Sequence, residues 1–527
     1  MPSRVRRLSR PSCTLFLALL LLCLAFPPAA AAQADRAGHD LVFLPAHTLA
    51  RLIASREVTS VQVVEAFLAQ IGEHNAKLTA IVTLDGQHAL ARAREADAAL
   101  ARGEVWGPLH GVPVTIKDNY ATKGLRSTNS SPDRAGYVPA FDATAVARLK
   151  AAGAIILGKE NLPRGAMDYQ TRSPLFGVAS NPWDLARTPG GSTGGGAAAV
   201  AAGLSPLSLG NDIGGSIRIP SHYCGIYGLK PTENMVSSYG VPPDTRGSKF
   251  RAVRHLNGFG PLARSIDDLE LCLKVIAGPD TRDVEVPAIP LVDPPAKTLA
   301  SLRVAWADEL GGVPVSEDTK KALAALAARL GEKGCSVRKA SPEGFDYPKA
   351  WQTYGKIMDL ELGQYQSGFT RFVSYIFGWR YRRNVPFLSL AYPATYRTYL
   401  DAMTARDGFV SKMEGFLADY DVWICPVAST TAFRHIAPDR YFGPFPLYSE
   451  PVVVDGRPLN YLAASGCYTT LFNLTGSPVV VVPIGYTREG MPIGAQLVGR
   501  RWRDLELLQA ARLIDKASGA FRHPPGY

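Results

Sequence analysis

The spacing of apolar residues predicts helices at the start of the chain. Val61, Val64, Phe67 and Ile71 recur at the three- and four-residue intervals of one helical face. The same kind of spacing extends on either side of them, so residues 48–105 are predicted to be helical.

Farther along, short apolar runs alternate with helical segments. The predicted elements are, in chain order, a buried strand at 111–116 that ends beside Lys117, a helix at 144–153, a strand at 154–158, an alanine-rich helix at 196–203 and a strand at 204–209. This alternation predicts an α/β fold in which a mixed, twisted central β-sheet is covered by helices on both faces.

The C-terminal part continues this pattern. Residues 478–483 read PVVVVP, and four consecutive β-branched valines predict a strand. A turn at 488–490 and a second apolar run predict a hairpin-like return, and 504–517 is predicted to be the last helix. Proline, glycine and serine predict a loop at 172–195, and the five prolines of 278–301 predict an exposed connector.

The N-terminus has the three parts of a secretory signal peptide. Four arginines lie within the first ten residues, an apolar run of 13 residues follows at 14–26, and small residues come next. We expect a signal peptide over 1–32, with cleavage after Ala32 or Ala34, and a secreted or periplasmic mature protein over 33–527. Thirteen residues span about 20 Å as a helix, less than the roughly 30 Å of a bilayer core. No transmembrane span is therefore expected.

Charge and cysteine content narrow the function classes. The net charge of +11 falls to +7 without the four leader arginines, and a mildly basic surface on so long a chain requires no nucleic-acid partner. Five of the seven cysteines remain after the signal peptide, so at least one is not paired within the chain. No C-x-x-C or H-E-x-x-H pattern occurs, and we predict neither metal nor cofactor.

Candidate chemistry is concentrated in two glycine-rich stretches. Residues 189–196 read PGGSTGGG, and residues 210–220 read GNDIGGSIRIP. Glycines let backbone N–H groups converge on an anion, and an acyl-transfer enzyme needs such donors for its oxyanion beside a nucleophile. Ser216 and the residues before it supply both.

These segments resemble the amidase signature family. The resemblance rests on Lys117-Asp118-Asn119 and on the segments 190–195 (GGSTGG) and 212–220 (DIGGSIRIP). Further matches lie at 224–232, 473–478 and 494–499. Residues 174–232 look most like the fatty acid amide hydrolase branch, whereas a variable region at about 285–460 matches little. The resemblance implies a single large amidase domain that hydrolyses small-molecule amides.

The resemblance also implies a Ser–Ser–Lys triad. Ser216 would be the nucleophile that forms an acyl-enzyme, Ser192 would relay the proton, and Lys117 would be the base and then the acid. The family holds the peptide between Gly191 and Ser192 in the cis form. The implied oxyanion hole consists of the backbone N–H groups of Ile213, Gly214, Gly215 and Ser216.

Elementary electrostatics agrees with these roles. A lysine base must be neutral, so its pKa has to fall from about 10.4 towards 7–8. Burial of Lys117 at the end of an apolar strand would lower it, and the N-terminus of the helix after Ser192 would act in the same direction. Asp212 and Arg218 flank the nucleophile and are interpreted as a supporting ion pair, not as catalytic residues.

Several alternatives stay open on the sequence. Residues 190–194 also fit the G-x-S-x-G nucleophile elbow, for which His523 could be the base. Residues 194–199 mimic a dinucleotide fingerprint. The glutaminase component of tRNA-dependent amidotransferases belongs to the same family but works in the cytosol, and an inactive binding protein is a further alternative. A monomer and a homodimer are both compatible with the chain.

One segment of the variable region is unusually aromatic. Between 345 and 399, 15 of 55 residues are Phe, Tyr or Trp, against 48 of 527 in the whole chain. A helical layer on the core, a pocket wall for a large apolar or aromatic substrate group, and a surface in peripheral contact with a membrane or partner are the three interpretations.

Overall fold

The structure is a computed structural model that describes residues 40–242, 253–363, 367–382, 385–442 and 445–527. The predicted signal peptide and both of its cleavage sites lie outside the described residues. None of the helices in these ranges is long and apolar enough to cross a membrane.

Short apolar runs form one central sheet, which has eleven strands within the described ranges. Its strands are β1 (Ile81–Leu84), β2 (Pro113–Lys117), β3 (Ile155–Glu160), β6 (Leu207–Asp212), β7 (Tyr227–Lys230), β8 (Gly258–Ala263), β9 (Arg303–Trp306), β10 (Ser336–Lys339), β11 (Val422–Pro426), β16 (Val479–Tyr486) and β17 (Pro492–Val498). Three small ladders pair β4 (Arg172–Ser173) with β5 (Gly177–Val178), β12 (Arg440–Phe442) with β13 (Phe445–Leu447), and β14 (Val452–Val454) with β15 (Arg457–Leu459).

The order of the central strands is β1-β3-β2-β6-β8-β7-β16-β17-β11-β9-β10. Strand β2 is parallel to β3 and β6, and β9 is parallel to β10 and β11. The other neighbours in this sheet are antiparallel. The sheet is therefore mixed, as the sequence predicts.

Helices flank the sheet. They are α1 (Ala46–Ala54), α2 (Ser60–Leu78), α3 (Gly86–Ala101), α4 (Thr144–Ala151), α5 (Gly194–Ala201), α6 (Arg218–Cys224), α7 (Ile266–Ile276), α8 (Glu317–Glu332), α9 (Tyr347–Leu362), α10 (Gly368–Arg382), α11 (Tyr396–Leu417), α12 (Tyr461–Leu474) and α13 (Asp504–Ser518).

The valines of β16 show that both faces of the sheet are covered. Val480 and Val482 belong to the largest core cluster, which includes residues of α13, whereas Val479 belongs to a second cluster with residues of α9 and α12. Successive side chains of a strand point to opposite faces, and a strand buried on both faces reads as an unbroken apolar run. The α/β prediction with helices on both faces is confirmed.

Several predicted boundaries need correction, and three of the differences bear on the sheet and the candidate site. Residues 48–105 are not all helical, because Ile81–Leu84 forms the edge strand β1 between two helices; four residues are too few to show a strand period. Helix α5 begins at Gly194, two residues before the prediction. Strand β6 begins at Leu207 and continues to Asp212, beyond the predicted end at 209, because its pairing with β8 extends to Gly258.

Candidate active site

The candidate site lies at one edge of the sheet, where two parallel strands end. Strand β2 ends at Lys117 and its parallel neighbour β6 ends at Asp212. The carboxyl ends of parallel strands meet at the same edge of a sheet, which is where open α/β folds bind ligands. The sequence between Asp212 and α6 therefore emerges beside Lys117.

Lys117 is fully buried and contacts Ser192. Its Nζ lies 2.8 Å from Ser192 Oγ and 3.5 Å from the carbonyl oxygen of Asn211. Burial lowers the pKa of Lys117 to about 7, although the nearby carboxylates of Asp212 and Glu160 act in the opposite direction. A substantial fraction of this side chain is therefore neutral near pH 7, the state in which an amine accepts a proton.

The peptide between Gly191 and Ser192 is cis, as the family resemblance implies. Gly191 allows a close approach of another backbone segment, because a Cβ there would lie 2.6 Å from the carbonyl oxygen of Asp168 and 2.8 Å from that of Gln170. Two residues after Ser192, α5 begins. The sequence prediction of a helix N-terminus beside Ser192 is confirmed in position.

Ser216 follows a tight loop and is connected to the Ser192 segment by the backbone. The N–H of Thr193 donates to the carbonyl oxygen of Ser216 at 3.1 Å. Gly215 has a φ of 125°, which favours glycine. The three predicted triad residues therefore come together in one buried region: Lys117 contacts Ser192, and the residue after Ser192 contacts Ser216.

Asp212 and Arg218 form a fully buried ion pair beneath this loop. Burial alone would raise the pKa of Asp212, but the Arg218 guanidinium holds it well below its usual range. The guanidinium donates to both carboxylate oxygens, at 2.8 and 3.0 Å. Its remaining hydrogen bonds are accepted by the Thr469 carbonyl, Gln496 Oε1 and Asn473 Oδ1. Every N–H of the guanidinium is thus used, which is the condition for a stable buried charge.

The carboxylate of Asp212 also orders the loop before the nucleophile. It accepts the N–H of Gly215 at 2.8 Å and that of Ile217 at 3.1 Å. One of the four backbone donors predicted for the oxyanion hole, the N–H of Gly215, is thus engaged by a carboxylate. The supporting role predicted for Asp212 and Arg218 agrees with these contacts.

Side-chain hydroxyl groups that the sequence analysis missed hold the carbonyls of the same loop. Tyr354 donates to the Ile213 carbonyl at 2.8 Å. Tyr169 and Thr469 donate to the Gly214 carbonyl at 3.2 and 2.5 Å. Thr469 lies close to the family-like segment 473–478, so its neighbourhood carried a signal. Tyr354 lies in the variable region, where no motif pointed to it.

A buried carboxyl group lies across from Lys117 and was also missed. Glu160 is the register partner of Lys117 on the parallel strand β3, so both side chains lie on the same face of the sheet. Ser208 donates to Glu160 Oε2 at 2.9 Å. Burial raises the pKa of Glu160 to about 7, against the opposing effects of hydrogen bonds and of Lys117.

The alternative sites lack their structural context. A nucleophile elbow and a dinucleotide loop each follow a buried strand, but only isolated bridges lie between 181 and 189. The contact of Ser192 is with Lys117, whereas His523 packs against Phe43 and Phe521. The five cysteines of the described residues are buried and not disulfide-bonded.

Sequence similarity to known proteins defines the family. The Amidase family model matches residues 62–508. The A subunit of glutamyl-tRNA(Gln) amidotransferase from Picosynechococcus sp. is 32% identical over 505 residues, covering 91% of this chain and 99% of the relative. Its counterpart from Moorella thermoacetica is 33% identical over 510 residues, covering 92% and 99%. The chain therefore belongs to the amidase signature family, whose members hydrolyse C–N amide bonds.

Solved structures give the same answer. A structure of 6-aminohexanoate cyclic dimer hydrolase with its substrate has a TM-score of 0.75 and 27% identity, covering 92% of this chain and 99% of that one. Fatty acid amide hydrolase has a TM-score of 0.76 at 23% identity, covering 92% and 86%. The second likeness shows the shared fold alone, so a particular relation to that branch stays a prediction.

Proposed function

We propose that this protein is an exported amidase that hydrolyses a carboxylic amide to an acid plus ammonia or an amine, through a Ser–Ser–Lys triad and an acyl-enzyme. The contact between buried Lys117 and Ser192 carries the proposal. A lysine whose pKa is lowered to about 7 beside a serine hydroxyl is the arrangement a lysine base requires.

In the first step, Ser216 Oγ attacks the amide carbonyl carbon. The hydroxyl proton of Ser216 passes to Ser192 as the proton of Ser192 passes to neutral Lys117. The carbonyl oxygen becomes an oxyanion, which is stabilised by backbone N–H groups of the loop 213–216 other than that of Gly215, since Asp212 already accepts the latter. Asp212 and Arg218 keep that loop in place and do not exchange protons with the substrate.

In the second step, the tetrahedral intermediate collapses. The Lys117 ammonium returns its proton through Ser192 to the nitrogen of the leaving group, the C–N bond breaks, and the acyl group stays on Ser216. A water molecule then attacks the ester carbonyl and gives its proton to the same relay. The acid is released and Ser216 regains its proton.

A fluorophosphonate reagent tests the nucleophile. The wild-type chain should gain one phosphonyl group, and peptide mapping should place it on Ser216. Incubation with a panel of amides and intact-mass detection should then reveal an acyl adduct on the same residue. Labelling of Ser192 instead of Ser216 would contradict the assignment.

Export is proposed from the tripartite N-terminus and is tested separately. Expression of the full chain in a bacterial host with a periplasm, followed by N-terminal sequencing, should give a mature chain that begins at residue 33 or 35. A cytoplasmic chain that retains residues 1–32 would overturn the proposed location but leave the chemistry untouched.

A second candidate function is glutamine hydrolysis that supplies ammonia to partner proteins. The 32–33% identity to the A subunit of glutamyl-tRNA(Gln) amidotransferase over nearly the whole chain favours it. The isolated chain would then release ammonia from L-glutamine better than from simple amides, and only with added partner proteins would the ammonia reach a second product. Preference for amides of monocarboxylic acids would favour the proposed exported amidase.

A further inference from the structure

The peptide between Ile213 and Gly214 precedes the proposed nucleophile, and its carbonyl is held by a side chain from the variable region. Tyr354, on α9, donates its hydroxyl to the Ile213 carbonyl at 2.8 Å. Its side chain is 2% exposed and belongs to the core cluster that packs on this face of the sheet. The hydroxyl is therefore fixed by the packing of the ring.

Holding a carbonyl also aims the N–H of the same peptide. Among the described residues, the cis peptides are those that end at Ser192 and Pro393, so the loop peptides are trans. In a trans peptide the C=O and N–H point in opposite directions. The hydrogen bond from Tyr354 to the Ile213 carbonyl thus directs the N–H of Gly214 away from Tyr354.

In the next peptide, between Gly214 and Gly215, the hydrogen-bond partners of both the carbonyl and the N–H are seen. The Gly214 carbonyl accepts hydrogen bonds from Tyr169 and Thr469, and the N–H of Gly215 points the other way, into the Asp212 carboxylate at 2.8 Å. Both the carbonyl and the N–H of this peptide are therefore engaged in hydrogen bonds within the protein. In the preceding peptide the carbonyl is held by Tyr354, and among the described residues no hydrogen bond engages the N–H of Gly214, which can therefore be presented to a substrate.

We propose that Tyr354 is a positioning residue for the oxyanion hole: its hydroxyl orients the Ile213–Gly214 peptide so that the N–H of Gly214 meets the developing oxyanion. The proposal rests on the proposed function. A side chain at residue 214 would crowd the same hydroxyl groups, because a Cβ there would lie 3.0 Å from the Tyr354 hydroxyl and 3.1 Å from that of Tyr169.

Tyr354→Phe removes only the hydroxyl and is the test. Outright loss of an oxyanion donor costs about 10²–10³ in kcat; a misaimed donor should cost less, about ten-fold in kcat, with KM nearly unchanged. The rate of fluorophosphonate labelling of Ser216 should fall by a similar factor, because the phosphoryl oxygen occupies the same hole as Ser216 displaces fluoride.

Two matched variants separate positioning from packing. Tyr468→Phe removes a hydroxyl that donates to the Val313 carbonyl in the same core cluster, and it should leave kcat unchanged. Tyr169→Phe should cost less than Tyr354→Phe, because Thr469 still holds the Gly214 carbonyl. Thermal unfolding of all three checks that their folding is comparable.

The outcomes are distinct. Wild-type labelling on Ser216 with an unchanged rate in Tyr354→Phe would overturn the positioning role, as would an equal loss in Tyr468→Phe or a change confined to KM. Failure of the wild-type chain to label at Ser216 would instead overturn the proposed function. A loss of kcat and of labelling rate specific to Tyr354→Phe supports the proposal.

Discussion

The loops of the candidate site and the aromatic segment 345–399 differ in which side chains they bury and which they expose. Two basic side chains, those of Lys117 and Arg218, are fully buried in the first region. In the second, large apolar side chains face solvent, with Phe369 and Tyr396 each 77% exposed. Burial of a charged side chain is costly unless the charge is paired, as that of Arg218 is with Asp212, so side-chain positions in the first region are closely constrained. The exposed aromatic rings of the second region are available for contacts with other molecules.

The aromatic segment itself divides in two. Helix α9 packs its aromatic residues inward, where Trp351 and Tyr354 belong to the second core cluster. Helix α10 and the residues after it carry the exposed rings, and Phe372 packs only against its neighbour Tyr392 among the aromatic contacts of the described residues. Of the three interpretations of this segment, core packing holds for α9, and the outer half remains a candidate for substrate, membrane or partner contact.

The largest expected contrast between the two regions is in catalysis. Ser216→Ala should lower kcat/KM by about 10⁴-fold or more, because it removes the hydroxyl group that forms the acyl-enzyme in the proposed mechanism. Lys117→Ala and Ser192→Ala should lower kcat/KM by a smaller factor, because water can partly replace a proton relay. Initial rates with excess amide substrate measure all three.

The matched control is on α10. Phe369→Ser should keep kcat/KM on a small amide within about two-fold, since surface substitutions rarely perturb a folded core. If Ser216→Ala lowered kcat/KM only slightly and Phe369→Ser lowered it strongly, the assignment of catalysis to the first region would be contradicted.

The second contrast is in stability. Arg218→Met leaves the Asp212 carboxylate buried and without its cation, which should lower the free energy of unfolding by about 3–5 kcal/mol. The equivalent change in the aromatic segment, Arg371→Met, breaks a pair with Asp359 whose carboxylate still accepts the N–H of Ala391, and it should cost about 1 kcal/mol. Chemical denaturation of both variants gives the two values, and equal losses would mean that the two regions do not differ in this respect.

The third prediction concerns the outer aromatic segment as a substrate wall. If it lines the acyl pocket, each buried methylene contributes about 0.8 kcal/mol, so three added methylenes should raise kcat/KM by roughly fifty-fold until the pocket is full. Primary amides from acetamide to dodecanamide form the series. Highest efficiency on acetamide, declining with length, would remove the pocket wall from the interpretations.

The sequence predicted the parts of this molecule whose signals are local. The apolar run 478–483 and the turn after it gave the β16–β17 hairpin, and the end of the strand near 116 placed Lys117 correctly. The cis peptide at Ser192 came from family resemblance, not from the residues themselves. Strand β1 was not predicted, because four residues are too few to show the two-residue alternation of a strand.

The site residues that the sequence did not predict are those whose position depends on tertiary contacts. Tyr354 reaches the loop from 141 positions away along the chain, and nothing in its own segment marks it among fifteen aromatic residues. Glu160 faces Lys117 only because β2 and β3 pair in a particular register. No pattern within one segment contains such pairings, so a sequence yields the residues of a site more readily than the residues that orient and tune it.

The smallest expected effect tests that tuning at Glu160. Lys117 must be neutral to accept a proton, so kcat/KM should be low in acid, rise through a pKa of about 7 and level off above it. The negative charge of Glu160 favours the ammonium form and raises the pKa of Lys117 against the effect of burial. Burial raises the pKa of Glu160 to about 7, so this carboxyl is charged mainly in the upper part of the limb. Glu160→Gln removes that charge at nearly constant shape, so the upper part of the limb should move to lower pH while its foot stays in place.

The upper part of the limb should move by less than about one pH unit, so the gain in relative kcat/KM near pH 7 should stay below about ten-fold. Glu361→Gln is the control, because Glu361 is another buried carboxyl whose partner is His255 and not Lys117. A limb that moves but persists in Glu160→Gln and stays in Glu361→Gln supports Lys117 as the titrating group, whereas disappearance of the limb in Glu160→Gln would assign the titration to Glu160 itself. A limb that stays in both variants would assign it to another group and would detach Glu160 from the catalytic region, leaving that carboxyl as a structural element of β3.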